Sequence, residues 1–368
     1  MFPPIPVRWL RPFMNRYHQV MDLTKQLRLA HKCSGKSMMH IIFEALSLRH
    51  GPGRLGLAEY LDYSLFDDSK YDAEQKRSFA GWRLQRYIDE LTPRDWWSVI
   101  EDKVVLGLYL RGLGFPAPDI MAVYAESRRF NKIKTLKNRD DLLKYLVRDA
   151  VFPLFGKPVR RGHGIDAMSL IRHVDNGSIQ LGNGEIESCE SITDRIEQYS
   201  SKGYLFQELL RPHPDTVIVC GDRLTSLRMT VMMDQDVPNL LFSQWKVPVG
   251  RNMVDNTGMY NIVAPVDLPS GLIAMAYLVD QQGQSQIKTH PDVGVSLEGF
   301  VIPDFSEACE LCLKAARSLP DIAVQGWDVA ITDAGPVLIE TNVTGDIDAI
   351  QHTSGTGFLI PETRRLLK

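Results

Sequence analysis

Apolar residues recur at three- and four-residue spacing through Ile41, Leu46 and Leu48, and again through Trp82, Leu84 and Ile88. That period predicts that residues 7–100 are mostly helical. Residues 104–110 fit strand or helix equally, and Gly112–Pro118 marks a loop that leads into a strand. Residues 139–149 form an amphipathic helix. From residue 151 the pattern shortens to β-rich runs at 151–159, 170–174, 178–181, 204–209, 216–219, 227–233, 240–247 and 260–266. Turn sequences such as Asp175-Asn176-Gly177 and Gly182-Asn183-Gly184 separate some of them. Helical spacing returns at 306–318, with Ser306 as cap and Glu307 in the first turn. Helices first and sheet later predict an α+β architecture in lobes.

The most informative pattern is Gly326-Trp327-Asp328 through Ile339-Glu340-Thr341-Asn342, two apolar strands joined at Asp333-Ala334-Gly335. A three-residue loop, with Thr332 paired to Pro336, sets Asp328 opposite Glu340, and Asn342 shares the face of Glu340. Opposed residues on one face have Cβ atoms about 4.5–5.5 Å apart. Two carboxylates and an amide at that spacing call for a cation, and oxygen donors favour Mg²⁺. A slip of one residue turns Asp328 to the other face.

Composition bounds the class. With 368 residues, 44% apolar and 24% charged, the chain is a globular protein of two or three domains. A net charge of −3 offers no general drive toward nucleic acid or an anionic membrane. Five scattered cysteines, Cys33, Cys189, Cys220, Cys309 and Cys312, form no disulfide framework and predict free thiols in the cytoplasm. No second cysteine pair or nearby histidine completes a zinc site with Cys309 and Cys312. Residues 1–40 carry seven Lys and Arg against one acid, Asp22, with Trp9, Leu10 and Phe13 among them. Two readings stay open there: a segment touching the inner face of a membrane, or a packed helix with a solvated basic face.

Three further motifs could carry chemistry. A strand ending Phe155-Gly156-Lys157-Pro158 leads into Arg160-Arg161-Gly162-His163-Gly164, cations and flexible glycines suited to a polyphosphate. The P-loop spacing is absent. The strand Tyr204–Leu210, with Gln207 and Glu208 at its end and His213 in the turn, could offer its edge to a flat base and Glu208 to a ribose. Arg228 and Lys246 lie inside apolar strands, and Arg251 follows. A cation in an apolar strand needs an anion, either a protein carboxylate or a substrate group. No Ser/His/Asp triad is legible.

In this order, these pieces resemble the ATP-grasp superfamily, and within it the sugar-transfer-associated ATP-grasp proteins encoded with polysaccharide biosynthesis genes. Asp102-Lys103, Phe155–Pro158 with Gly162 and Gly164, Gln207–Leu210, Leu227-Arg228 and Arg251 through Asp255-Asn256 carry the likeness. His290-Pro291, Ile302-Pro303 and Gly326–Ile331 complete it. The resemblance implies an ATP-grasp fold, two α+β lobes enclosing ATP behind a helical N-terminal region. It divides the chain into 1–100 (helical), 101–150 (N-terminal α/β part), 151–210 (small lid lobe) and 211–368 (C-terminal lobe with the hairpin). Lys103, Lys157, Arg161, Gly162, His163 and Gly164 would hold phosphates. Gln207, Glu208, Leu209, Leu210 and His213 would hold the rest of the nucleotide. Asp328, Glu340 and Asn342 would hold Mg²⁺, and Arg228, Lys246, Arg251 and Asn256 would serve the reaction. The family tends to show Gly-Gly after Asp-Asn, where this chain has Thr257-Gly258-Met259.

The resemblance implies ATP-dependent joining of a small-molecule carboxylate to an amine through an acyl phosphate, with no nucleic-acid partner. Phosphoryl transfer to a hydroxyl and non-catalytic nucleotide binding are the alternatives.

Overall fold

The computed structural model of the chain describes residues 15–160, 164–175, 177–255, 260–280, 283–343 and 346–367. They fall into two compact units: the residues up to Tyr87 together with those from Ile347, and Ile88–Asp346. Trp9, Leu10 and Phe13 lie outside the described residues, as do Arg161, Gly162, His163 and Asn256.

The first unit is helical, as the spacing predicts: α1 (Asn15–Ser34), α2 (Met38–Arg49), α3 (Leu57–Asp62), α4 (Ala73–Ser78) and the start of α5 (Trp82–Leu91). Ser37 caps α2 by accepting from His40 N–H. Asp72 caps α4, and Gln75 returns the bond. Ile41, Ala45, Tyr60, Leu65 and Phe79 form the core.

The second unit opens with α6 (Arg94–Ile100) and α7 (Lys103–Gly112). Residues 104–110 are therefore helix. Asp102 decides it by accepting the Val105 N–H as N-cap. β1 (Ile120–Tyr124) and β2 (Lys134–Leu136) follow, then α8 (Arg139–Lys144), whose apolar side continues through a π turn at Tyr145–Asp149. β3 (Leu154–Pro158), β4 (Met168–Asp175), β5 (Ser178–Leu181) and β6 (Ile186–Ser188) precede α9 (Cys189–Glu197) and β7 (Tyr204–Glu208). These strands make one sheet in the order β2-β1-β7-β3-β4-β5-β6. Tyr145, Leu170, Ile192 and Phe206 pack beneath it.

Residues 216–219, expected as a strand, belong to α10 (Pro214–Cys220). Pro214 opens the helix and His213 Nδ1 accepts the Asp215 N–H, so the cap overrides four β-formers. Thr216, Val219 and Cys220 face inward at helical spacing.

The second sheet holds β8 (Ser226–Asp234), β9 (Val237–Val247), β10 (Ile262–Pro265), β11 (Ala276–Asp280), β12 (Gly283–Ile287), β13 (Val324–Thr332) and β14 (Gly335–Asn342). Its order is β12-β11-β10-β9-β8-β13-β14, antiparallel throughout. α11 (Phe305–Ala316) packs Ala308, Cys312 and Ala315 into the core with Trp245 and Trp327. Its expected cap is corrected. Ser306 lies inside the helix, and Asp304 stands at N-cap with φ 50° and no side-chain cap bond.

The chain ends in α12 (Ile347–Ser354) and α13 (Pro361–Leu366), which complete the helical unit. Buried Gln351 joins them to it. Its amide oxygen accepts from Ala80 N–H and Phe358 N–H, and its amide nitrogen donates to Ala80 O and the Tyr63 hydroxyl.

Candidate active site

The β13–β14 hairpin brings Asp328 opposite Glu340, by a different route from the expected one. The loop is a two-residue turn, pairing Thr332 with Gly335 and Val329 with Leu338. Continued without interruption, that register would set Asp328 against Ile339. A bulge at Ile339 absorbs one residue and restores the face. Asn342 stands opposite Gly326.

Across the other edge of β13, Asp328 pairs with Arg228 of β8, and Ser226 of β8 pairs with Lys246 of β9. Alternation sends Leu227, Met229, Trp245, Trp327 and Val329 into the core, leaving the charged residues on the opposite face. Arg228 Nε and Nη2 donate to the two Asp328 oxygens at 2.7 and 3.0 Å. Lys246 Nζ lies 3.1 Å from Asp328 Oδ1 and 3.7 Å from Asp255. Arg228 also pairs with Asp346. The choice left open for the strand cations, protein acid or substrate, resolves to protein acid for both.

Burial would raise the Asp328 carboxyl, but the Arg228 guanidinium and Lys246 ammonium outweigh it and hold the group well below the usual carboxylate range. Burial would lower Lys246, yet Asp255 and Asp328 leave it above an ordinary lysine. Asp255 is pushed up, because burial exceeds the help from Lys246 and the Ser226 hydroxyl.

The first sheet supplies Lys157 from β3. Within that strand, Gly156 is required by packing: a Cβ there would lie 2.8 Å from the Tyr204 ring. Lys157 is buried, and among the described residues no carboxylate lies within ion-pair distance of its ammonium. Burial pushes its pKa down to about 8 against the pull of Glu340 and Asp328, with Lys103 adding to the depression. Lys103, in the first turn of α7, lies 3.6 Å from Glu340. Burial would raise Glu340, and Lys103 and Lys157 bring it below its usual value. Asp102 caps that helix and accepts from both Arg128 and Arg160.

One cavity of about 870 Å³ joins these groups. Lys103, Lys157, Gly164, Gln207 through Leu210, Lys246, Asp328 and Glu340 line it. Other expected residues sit elsewhere. Arg228 is behind Asp328 and is not part of the lining. Arg251 is exposed, 3.8 Å from Glu185. His213 is spent on capping α10, and Asn342 is outside the lining. Glu208, expected at a ribose, accepts from Asp119 N–H through Oε1 while still lining the cavity. Ser226, Asp346 and the anchoring role of Asp102 are not expected from the sequence pattern. For Asp346 and Asp102 the available signal was the unpaired cation that each satisfies.

The donor set bears on a metal. Among the described residues, no three His, Cys, Asp or Glu side chains converge as ligands. Asp328 and Glu340 therefore offer two carboxylates, the number with which Mg²⁺ is commonly held alongside substrate phosphates and water. The buried cations suit the phosphates, and Lys157 has no carboxylate at ion-pair distance among the described residues. The residues fit Mg²⁺–nucleotide.

Residues 83–365 match the sugar-transfer associated ATP-grasp family. No curated protein matches the chain. Among solved structures, D-alanine–D-alanine ligase from Bacillus anthracis is 14% identical at a TM-score of 0.39, covering 77% of this chain and 72% of its own. L-amino acid ligase from Bacillus licheniformis is 12% identical at 0.40, covering 74% and 48%. The biotin carboxylase domain of Hydrogenobacter thermophilus 2-oxoglutarate carboxylase is 11% identical at 0.37, covering 71% and 45%. The chain thus spans about half the length of the last two. On the family match over most of its length, the chain belongs to the sugar-transfer associated ATP-grasp family.

Proposed function

We propose that the chain is an ATP-dependent carboxylate–amine ligase, taking a sugar acid or another small carboxylate as its acid. The observation that carries this reading is Lys157, a buried ammonium in a large cavity with no carboxylate within ion-pair distance among the described residues. A desolvated cation held this way is poised for a mobile anion, and nucleotide phosphates meet that need. Lys103 stands beside it, and the Gln207–Leu210 strand end lines the same cavity as a seat for the base. Asp328 and Glu340 would hold Mg²⁺, which offsets charge on the phosphates when bound.

The substrate carboxylate takes the γ-phosphoryl group, ADP leaves, and an acyl phosphate remains. The amine then attacks the acyl carbon, expelling inorganic phosphate and losing a proton. Lys157 and Lys103 stabilise charge on the transferring group. Arg228 acts one step back, holding both Asp328 oxygens in place. Lys246 lines the cavity between Asp328 and Asp255.

The test is ADP release over a matrix of small acids and amines, with mass spectrometry of the products. A ligase releases ADP and free phosphate only when acid and amine are both present. ADP release with a hydroxyl compound alone, leaving a phosphorylated product, would overturn ligation in favour of a kinase.

A further inference from the structure

The helical unit carries an exposed apolar stripe and a basic concavity. Around α2, Met39, Phe43, Leu46 and the C-cap His50 fall within about 60° of one another at 3.6 residues per turn. The three apolar members are 60, 62 and 44% exposed. The stripe runs into a concavity of about 390 Å³ lined by Arg49, His50, Gly51, Arg54 and Arg83. No acid lines it, and among the described residues none of the three arginines is ion-paired. Two aromatic side chains stand at its rim: the Arg83 guanidinium lies 5.4 Å over exposed Trp82, and that of Arg54 lies 5.1 Å over exposed Tyr87. The one acid on α2, Glu44, projects from the other side and is held by Lys36, Lys76 and the Tyr60 hydroxyl. The unit as a whole has 17 Lys and Arg against 10 Asp and Glu.

We propose that this face docks on an anionic phospholipid surface. The α2 stripe enters the headgroup–acyl boundary, and the three-arginine concavity takes a lipid phosphate. Each part has its reason. An exposed apolar stripe loses unfavourable hydration only when something apolar covers it. Unpaired guanidinium groups bind phosphate with paired N–H donors. Trp and Tyr, apolar with one polar edge, settle at the level of the headgroups. A soluble phosphate would leave the stripe uncovered, and an apolar protein partner would leave the arginines unpaired.

The test is co-sedimentation of the full chain with phosphatidylcholine vesicles, with and without phosphatidylglycerol, at low and high salt. Expected are binding to the anionic vesicles only, weakening at high salt, and a loss of about tenfold or more on reversing Arg49, Arg54 and Arg83 to Glu together. Phe43→Glu with Leu46→Glu lowers binding independently, and an unchanged circular dichroism spectrum excludes misfolding. Three results would overturn the proposal: no partition onto anionic vesicles; partition indifferent to both sets of variants; or complete release by glycerol phosphate, which would make the ligand a soluble phosphate. Self-association of the free chain that Phe43→Glu abolishes would make the face a dimer interface and overturn it too.

Discussion

Arg228 and Lys246 on the second sheet carry the same charge as Arg49, Arg54 and Arg83 in the helical unit, and the fold treats them oppositely. The sheet pair is buried, so each finds carboxylates: Asp328 for both, Asp346 and Asp255 one apiece. The helical arginines reach water, which solvates them at little cost, so nothing in the fold obliges a partner. Burial therefore decides whether a cation's anion comes from within the chain or from outside. Lys157 is the exception, buried like the first set and, among the described residues, without an acid at ion-pair distance like the second. The same division runs through the whole charge distribution. The net −3 hides a basic helical unit, 17 cations to 10 acids, and an acidic remainder of 25 to 35.

The largest effect is expected at Asp328. Asp328→Ala strands Arg228 and Lys246 with half their partners, so we predict about 3 kcal/mol of destabilisation in urea unfolding, together with loss of ADP formation. A cost under about 1 kcal/mol would show that these charges are solvated like the helical ones. Next is a neutral buried group in the other unit. Gln351→Ala removes four hydrogen bonds and leaves buried backbone groups unsatisfied, which should cost about 2 kcal/mol by the same measurement.

Lys157 comes third, with the opposite sign. Its folded pKa, about 8, lies below the ordinary 10.5, so between those values the unfolded chain holds more protons. Stability then rises with pH from about 8 to 10.5, and below 8 the full cost of the buried charge is present. Lys157→Met should stabilise the nucleotide-free chain by about 1–2 kcal/mol at neutral pH, with the gain fading above pH 10, while ATP affinity falls at least about tenfold. Calorimetry and urea unfolding at two pH values read both effects. A variant less stable than its parent at pH 7 would show that Lys157 has a hidden partner. Smallest is Arg83→Glu, expected to change stability by less than about 0.5 kcal/mol because its charge is solvated. A larger loss in urea would place that arginine among the structural ones.

Strong periodic elements were legible from local pattern: the helices before residue 100, the runs that became β4, β8 and β9, and the hairpin. Legibility failed where a single cap outweighed propensity, as at α10, whose Thr216–Val219 reads as strand until Pro214 and His213 start a helix. It failed also at β11 and β12, a short hairpin whose pattern is weak. In the site, Lys103, Lys157, Gln207 and Glu340 were reachable by motif and resemblance. Arg251 was not separable from the lining residues, because exposure depends on neighbours distant in sequence, and His213 was misplaced because its local cap on α10 went unread.

What the sequence determined by itself is the chemistry available: apolar alternation that makes β13 and β14 strands, with Asp328 and Glu340 at ladder spacing. Tertiary structure alone decided how they meet. The turn closes in two residues instead of three, which would have separated the carboxylates, and the bulge at Ile339 returns them to one face. Register follows from turn length together with any bulge in the ladder, and here the bulge is visible only in the paired strands. Tertiary structure also decided which cations are answered internally. Charge is written in the residues, but burial belongs to the fold.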